Sequence, residues 1–70
     1  MQKRYVILRA LPTGFLDDLP AEDQQAIRGM VGKPVTLNEY DPDGRAELEF
    51  TDKHGLIRFI YVDPKFIDVC

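Results

Sequence analysis

The chain has 70 residues, of which 44% are hydrophobic and 30% are charged, and its formal net charge is −3 at pH 7. A chain of this length has room for one small hydrophobic core. It contains no serine, one histidine (His54) and one cysteine (Cys70), which excludes a serine nucleophile and a zinc site built from His and Cys ligands. We therefore expect a single domain, residues 1–70, that is not an enzyme and needs no cofactor or metal.

Compartment and partner class follow from cysteine usage and charge. A single cysteine cannot form an internal disulfide, which is typical of a cytoplasmic protein. The apolar run at residues 5–8 is too short for a signal peptide or a membrane span, so we expect no contact with a membrane. Residues 11–70 contain six basic and twelve acidic side chains. This charge disfavours nucleic acid and favours a basic protein partner, the alternative being plain solubility.

The first predicted elements are a strand and a loop. Residues 3–9 are rich in β-formers, with apolar side chains on both faces, and predict a strand buried on both sides. Residues 10–19 contain Pro12 and Gly14 and predict a loop. Its apolar side chains are expected to fold back onto the core: Leu11, Phe15, Leu16 and Leu19.

A short helix is predicted over residues 20–31. Asp18 is available as its N-cap, and Pro20 suits its first turn. Acidic residues follow at the positive end of the helix dipole. Gly32 is placed to end the helix. One apolar stripe is expected on this helix: Ala26, Ile27, Met30 and Val31.

The second half predicts a three-stranded meander. Apolar runs at 35–40, 45–51 and 56–62 are separated by two turns of the form D-x-x-G, at 41–44 and 52–55. Asp at the first position can accept hydrogen bonds from the following backbone, and Gly supplies the positive φ that other residues resist. Both features are typical of turns between neighbouring antiparallel strands.

Four-residue loops set a definite register for this meander. They place Leu37 opposite Leu48 and Val35 opposite Phe50, on the core side. In the second hairpin they pair Glu49 with Arg58 on the outer side. The last strand then divides into an inward set, Ile57, Phe59 and Tyr61, and an outward set that includes Ile60 and Val62.

Residues 62–69 complete the pattern. Pro64 ends the strand, and the spacing predicts a 3₁₀ turn that returns Phe66 and Ile67 to the core before a short last strand. The order of strand, long loop with a helix, meander, 3₁₀ turn and short terminal strand resembles the SH3-like barrel superfold, in which Pro64 and Phe66 are similar to the Pro and aromatic residue of the 3₁₀ turn. The resemblance implies a small, mainly β barrel with one short helix.

The same resemblance bears on function. SH3 domains bind proline-rich segments through a tryptophan and several tyrosines, and this chain has no tryptophan. Other SH3-like proteins are docking modules or subunits of assemblies, and the chain is similar to those. In its general style it also resembles small bacterial proteins.

Three groups invite a chemical role. Glu39, Asp41 and Asp43 surround the first turn, but they are too few for a calcium loop, and turn formation explains them better. His54 lies within the second turn. A solvated turn residue is a simpler interpretation of this histidine than a proton shuttle. Cys70 has no predicted neighbour that would lower its pKa, which disfavours a reactive thiol.

The sequence therefore predicts a non-catalytic docking module that uses an acidic rim and a small apolar patch. Tyr40 is an aromatic anchor expected on the outer face beside the acidic turn. An inhibitor or immunity-type protein that neutralises a basic toxin or nuclease is the alternative, and a homodimer through the edge of the first or last strand is a further one. The predicted partner-binding residues are Tyr40, Asp41, Asp43, Glu47, Ile60 and Val62.

Overall fold

Residues 4–69 form five antiparallel strands, one short helix and one 3₁₀ turn. The computed structural model describes residues 4–69, so Cys70, and Lys3 at the start of the first predicted strand, lie outside the described residues. The elements are β1 (Arg4–Leu8), α1 (Ala21–Arg28), β2 (Pro34–Tyr40), β3 (Ala46–Thr51), β4 (Ile57–Val62), the 3₁₀ turn (Pro64–Phe66) and β5 (Ile67–Val69). The mainly β class with one short helix and the predicted order of elements are confirmed.

The strands form one open sheet in the order β4-β3-β2-β1-β5. The central part is the predicted meander, and β1 joins it by pairing with β2 on one side and β5 on the other. The two edges of the sheet are therefore β4 and β5, so of the two predicted strands the last has a free edge and the first does not. The resemblance to SH3-like barrels stays a prediction.

One face of the sheet carries the core, which the loop before α1 and the helix itself cover. Leu16 from the loop and Ile27 from α1 pack there with Val6 and Leu8 of β1. Tyr5, on the opposite side of the strand from Val6 and Leu8, is 57% exposed. The prediction that β1 is buried on both sides is therefore wrong, because the loop and the helix lie on the same side of the sheet. The buried residues are Val6, Leu8, Leu16, Ile27, Val35, Leu37, Ala46, Leu48, Phe50, Ile60, Val62 and Ile67.

The helix is shorter than predicted. Pro20 occupies the N-cap position and no side chain caps the helix, so Asp18 does not have the predicted role. The α-helix ends at Arg28, and the N–H groups of Met30 and Val31 donate to carbonyl oxygens three residues earlier, as in a tighter turn. Gly32, with a φ of +86°, follows that turn rather than the helix itself.

Both hairpin loops contain five residues instead of four. In the first, Asp41 N–H donates to the carbonyl of Arg45 at 2.8 Å. A β-bulge at Asn38 absorbs the additional residue, so Leu37 still lies opposite Leu48 as predicted.

The second hairpin has no bulge, and its register therefore differs from the prediction by one residue. Asp52 N–H donates to the carbonyl of Leu56 at 2.9 Å, which makes residues 52–56 the loop. Leu48 then lies opposite Ile60, and Ala46 lies opposite Val62. Because side chains alternate along a strand, the whole of β4 is reversed relative to the prediction. Ile60 and Val62 are buried, and the outward set is Ile57, Phe59 and Tyr61.

The end of the described chain agrees with the prediction. Asp63 accepts a hydrogen bond from the backbone N–H of Lys65 at 2.9 Å and so caps the 3₁₀ turn. Ile67, directly after the turn, is 5% exposed, and Phe66 is partly buried against the core. The turn thus returns the chain to the sheet for β5.

Candidate protein-docking surface

The outer side of β4 exposes a continuous row of large apolar side chains. Ile57, Phe59 and Tyr61 alternate along the strand with relative exposures of 60%, 54% and 41%. We call these three residues the β4 stripe. Single exposed apolar residues are ordinary in soluble proteins, but a contiguous group is typical of an interaction site.

Three glutamates lie next to the β4 stripe on the same face of the sheet. Glu47 is opposite Tyr61, and Glu49 is opposite Phe59. Glu39 on β2 is directly opposite Glu47, which brings two like charges together. We call Glu39, Glu47 and Glu49 the outer acidic row. Among residues 4–69 none of these carboxylates forms a salt bridge, so their charge is not neutralised within the described chain.

Hydrogen bonds from uncharged side chains hold the carboxylates of the outer acidic row in place. Asn38, at the bulge, donates from Nδ2 to Glu47 Oε2 at 2.9 Å and to Glu49 Oε1 at 3.1 Å. The Tyr61 hydroxyl donates to Glu47 Oε1 at 2.7 Å. These contacts position the carboxylates without removing their negative charge, so the row remains available to a cation.

Tyr61 connects the apolar and acidic parts of the surface. The hydrogen bond to Glu47 is the main cause that raises the pKa of the Tyr61 phenol, with desolvation and the neighbouring carboxylates acting in the same direction. The guanidinium carbon of Arg45 lies 5.7 Å from the centre of the Tyr61 ring, within cation–π distance. Tyr61 is therefore a neutral, oriented hydrogen-bond donor at neutral pH.

The acidic first turn is mainly a structural unit. The Asp41 carboxylate accepts from the backbone N–H groups of Asp43 and Arg45 at 3.0 and 2.8 Å, and from Arg45 Nε at 2.9 Å. Desolvation alone would raise the pKa of Asp41, but the hydrogen bonds and charge of Arg45 outweigh it and hold the pKa below 3.8. Asp43 is 80% exposed on its side chain and only 3.6 Å from Arg45, so it stays at the rim.

The structure brings together only part of the predicted site. Glu47 lies at its centre and Asp43 at its edge, whereas Asp41 is engaged by Arg45. Tyr40 is exposed but lies opposite the buried Ala46, since the bulge changes its side of the sheet, so its predicted position on the outer face is wrong. The prediction that Ile60 and Val62 form the apolar patch is also wrong, because the five-residue second loop turns both into the core.

The predicted Glu49–Arg58 pair does not form either. Arg58 lies on the core side of β4, with 20% of its side chain exposed, and its Nη1 and Nε contact Asp23 on α1 at 2.5 Å and Asp52 at 2.8 Å. The hydrogen bond from Arg58 is the main cause that lowers the pKa of Asp52. Arg58 thereby ties α1 and the second turn together, and Glu49 has no cationic partner within residues 4–69.

Sequence reasoning missed Ile57 and Phe59 as surface residues. Five of the six β4 positions are apolar, so hydrophobicity alone does not tell which alternate set is inward. Arg58 is the residue that distinguishes the two faces of β4. An arginine can lie on the inner side of an apolar strand only where carboxylates reach it, and Asp23 and Asp52 supply those carboxylates here.

Metal and membrane criteria complete the description of the surface. Within residues 4–69 no group of three His, Cys, Asp or Glu side chains is arranged to hold a metal ion. The described part of the chain has no helix of the length and apolar character needed to cross a membrane. Comparison of the chain with protein-family models, with curated proteins and with solved structures finds no match.

Proposed function

We propose that this domain is a non-catalytic docking module that binds a basic protein partner through the β4 stripe and the outer acidic row. The observation that carries the proposal is the direct cross-strand contact between the two groups: Phe59 with Glu49, and Tyr61 with Glu47. Apolar side chains supply affinity when a partner removes them from water. The carboxylates beside them select a partner with Lys or Arg residues and attract it at long range.

Charge and exposure favour this function over plain solubility. A surface that served only solubility would intersperse its charges and would not expose three large apolar side chains on one face of one strand. The carboxylates of the outer acidic row, which form no salt bridge within residues 4–69, lie next to those side chains rather than elsewhere on the domain. A cytoplasmic setting belongs to the proposal, because the single cysteine of the chain fits a reducing compartment.

A titration with two matched peptides tests the proposal. The first is a labelled peptide of alternating lysine and valine, and the second replaces each lysine with glutamate. We expect fluorescence anisotropy to show binding of the basic peptide only, with an affinity that falls as salt is added. Equal binding of both peptides, or binding of neither, would refute the proposal.

Two substitutions locate the binding to this surface. Glu47→Gln keeps an acceptor for Tyr61 but removes a charge, and is expected to weaken binding about twofold to fivefold, the range for an exposed ion pair. Phe59→Ser should weaken it by at least about fivefold, because it removes an exposed aromatic anchor. Glu22→Gln is the matched control, since it removes one charge from α1 on the core side of the sheet. If all three variants bind equally well, the partner uses another surface.

A further inference from the structure

The backbone of β4 offers unpaired hydrogen-bonding groups along its outer edge. Hydrogen-bonded and non-hydrogen-bonded pairs alternate along an antiparallel ladder. The bond from Asp52 N–H to the Leu56 carbonyl identifies residues 52 and 56 as a bonded pair. Continuing the alternation along the β3–β4 ladder, the bonded positions of β4 are 58, 60 and 62, and the N–H and C=O groups of Ile57, Phe59 and Tyr61 point away from β3.

These outward groups have no partner within residues 4–69. The described sheet ends at β4, and no described side chain or backbone group hydrogen-bonds to them. An exposed edge of this kind accepts another extended segment. Natural edge strands are often protected by charge or proline on the outward-pointing positions, yet here those positions carry the apolar β4 stripe.

A groove runs along this edge, between Phe59 and Tyr61 of β4 and the loop and helix that cover the core. Its volume is about 390 Å³, and its apolar walls include Phe15 and Leu19 from the loop and Ile27 from α1, with the charged side chains of Asp23, Arg45 and Arg58 also in its lining. Phe15 and Leu19 are only partly buried against the core. A strand placed along the edge would direct every second side chain into this groove, which suits apolar residues of moderate size.

The other face of an added strand would lie on the outer side of the sheet. Its side chains would start beside the β4 stripe, about 4.8 Å from β4, with the outer acidic row one strand further. Lysine and arginine fit this position, because their apolar stems can cover Phe59 and Tyr61 while their charged ends reach Glu47 and Glu49. The two faces of the edge therefore favour different residue types at alternating positions.

We propose that β4 binds an extended peptide segment of alternating basic and apolar residues, which adds to the sheet as a sixth strand. This inference rests on the proposed docking function and specifies its geometry. Main-chain hydrogen bonds to Ile57, Phe59 and Tyr61 hold the segment, its apolar side chains enter the groove, and its basic side chains face the outer acidic row. A second copy of the chain fits less well, since pairing two β4 edges brings two outer acidic rows side by side.

Amide hydrogen exchange of the whole chain, with and without the alternating lysine–valine peptide, tests strand addition. In the free domain the amides of Ile57, Phe59 and Tyr61 should exchange quickly, while that of Ile60 is protected. Saturating peptide should slow exchange at the first three by at least about tenfold, as expected for amides that enter a ladder. Protection of those amides that grows with protein concentration without peptide would identify a second copy as the occupant and overturn the proposal.

Two N-methylated forms of the peptide provide the matched control. One carries methyl groups on the valine nitrogens and the other on the lysine nitrogens, so each blocks one edge of the peptide strand. We expect one form to lose at least about tenfold in affinity and the other to retain binding. Equal affinities of the two forms overturn strand addition.

The outcomes separate this inference from the docking function. If the peptide shifts the resonances of the outer acidic row without protecting the amides of Ile57, Phe59 and Tyr61, the docking function stands and strand addition is wrong. If the peptide perturbs neither the outer acidic row nor the β4 stripe, both proposals fail.

Discussion

Alanine substitution at two neighbouring positions of β4 tests the register on which the whole surface depends. Ile60 is 5% exposed and packs in the core, whereas Phe59 is 54% exposed on the outer side. In most proteins the loss of a phenylalanine costs more stability than the loss of an isoleucine, because the aromatic side chain buries more area. Here we expect the opposite order.

The magnitudes follow from burial. Ile60→Ala removes buried carbon groups worth roughly 2 kcal/mol of transfer free energy and leaves a cavity on the core side of β4, for a total of about 2–5 kcal/mol. Phe59→Ala removes a ring of which only about half is buried and leaves no cavity, so about 1 kcal/mol is expected. A domain of this length has a free energy of unfolding of about 4–10 kcal/mol, so the first loss is large and the second is modest.

Urea unfolding followed by circular dichroism measures both losses. Because neither substitution should change how much surface unfolds, the slope of the free energy against urea should stay constant and the midpoints alone should move. Leu48→Ala, opposite Ile60 on β3, is a further core reference at about 2–5 kcal/mol. A loss for Phe59→Ala equal to or greater than that for Ile60→Ala would mean that the opposite set of β4 side chains is buried.

Three further changes test the turns and the outer face. Gly55→Ala is expected to cost about 1–2 kcal/mol in urea unfolding, because Gly55 has a φ of +82° while an added Cβ would meet no atom within 4 Å, so backbone strain alone is involved; an unchanged midpoint would contradict this. Asp52→Asn should lower the Tm at neutral pH more than Asp43→Asn, since the Asp52 side chain is 3% exposed and bonded to an arginine while that of Asp43 is 80% exposed. The folded-state pKa of Asp52 lies below 3.8, so the stability that its ionised carboxylate contributes is present above pH 3.8 and is lost as the pH falls through the folded-state pKa. The Tm difference between Asp52→Asn and the unsubstituted protein should therefore shrink in acid. A Tm difference that stays constant would contradict the ionic explanation. Glu47→Gln should lower the pKa of Tyr61 toward 10.0 in an ultraviolet titration of tyrosinate, and an unmoved titration curve would show that Glu47 does not control this phenol.

Local chemistry made much of the fold predictable. The two D-x-x-G turns mark the hairpins through their own backbone hydrogen bonds, and Asp41 and Asp52 accept those bonds in the structure. Pro64 marks the end of β4 in the same local way. Each of these signals is contained in a few consecutive residues, so a linear sequence displays it in full.

Which side chains of β4 face the core depends on features that are spread over both hairpins. The register of each strand pair depends on both the loop length and any bulge in the strands. In the first hairpin the bulge at Asn38 offsets the additional loop residue, whereas the second hairpin has no bulge and its register shifts by one residue. Asn38 carries no local mark of a bulge, because its role is to bridge Glu47 and Glu49 across the sheet. The sequence consequently predicts an exposed patch at Ile60 and Val62, each one residue away from the side chains that are exposed, Phe59 and Tyr61.

The near-equal apolar character of the two sides of β4 has a consequence for how this segment can change. Deleting one residue from the second loop would exchange the inner and outer sets, hiding Phe59 and Tyr61 and presenting Ile60 and Val62, with Arg58 moved outward beside Glu49. Both arrangements bury one apolar side of the strand, but the exchanged one separates Arg58 from Asp23 and Asp52. Deletion of a single codon in this loop would thus change the side chains that β4 exposes, without any substitution in the strand itself.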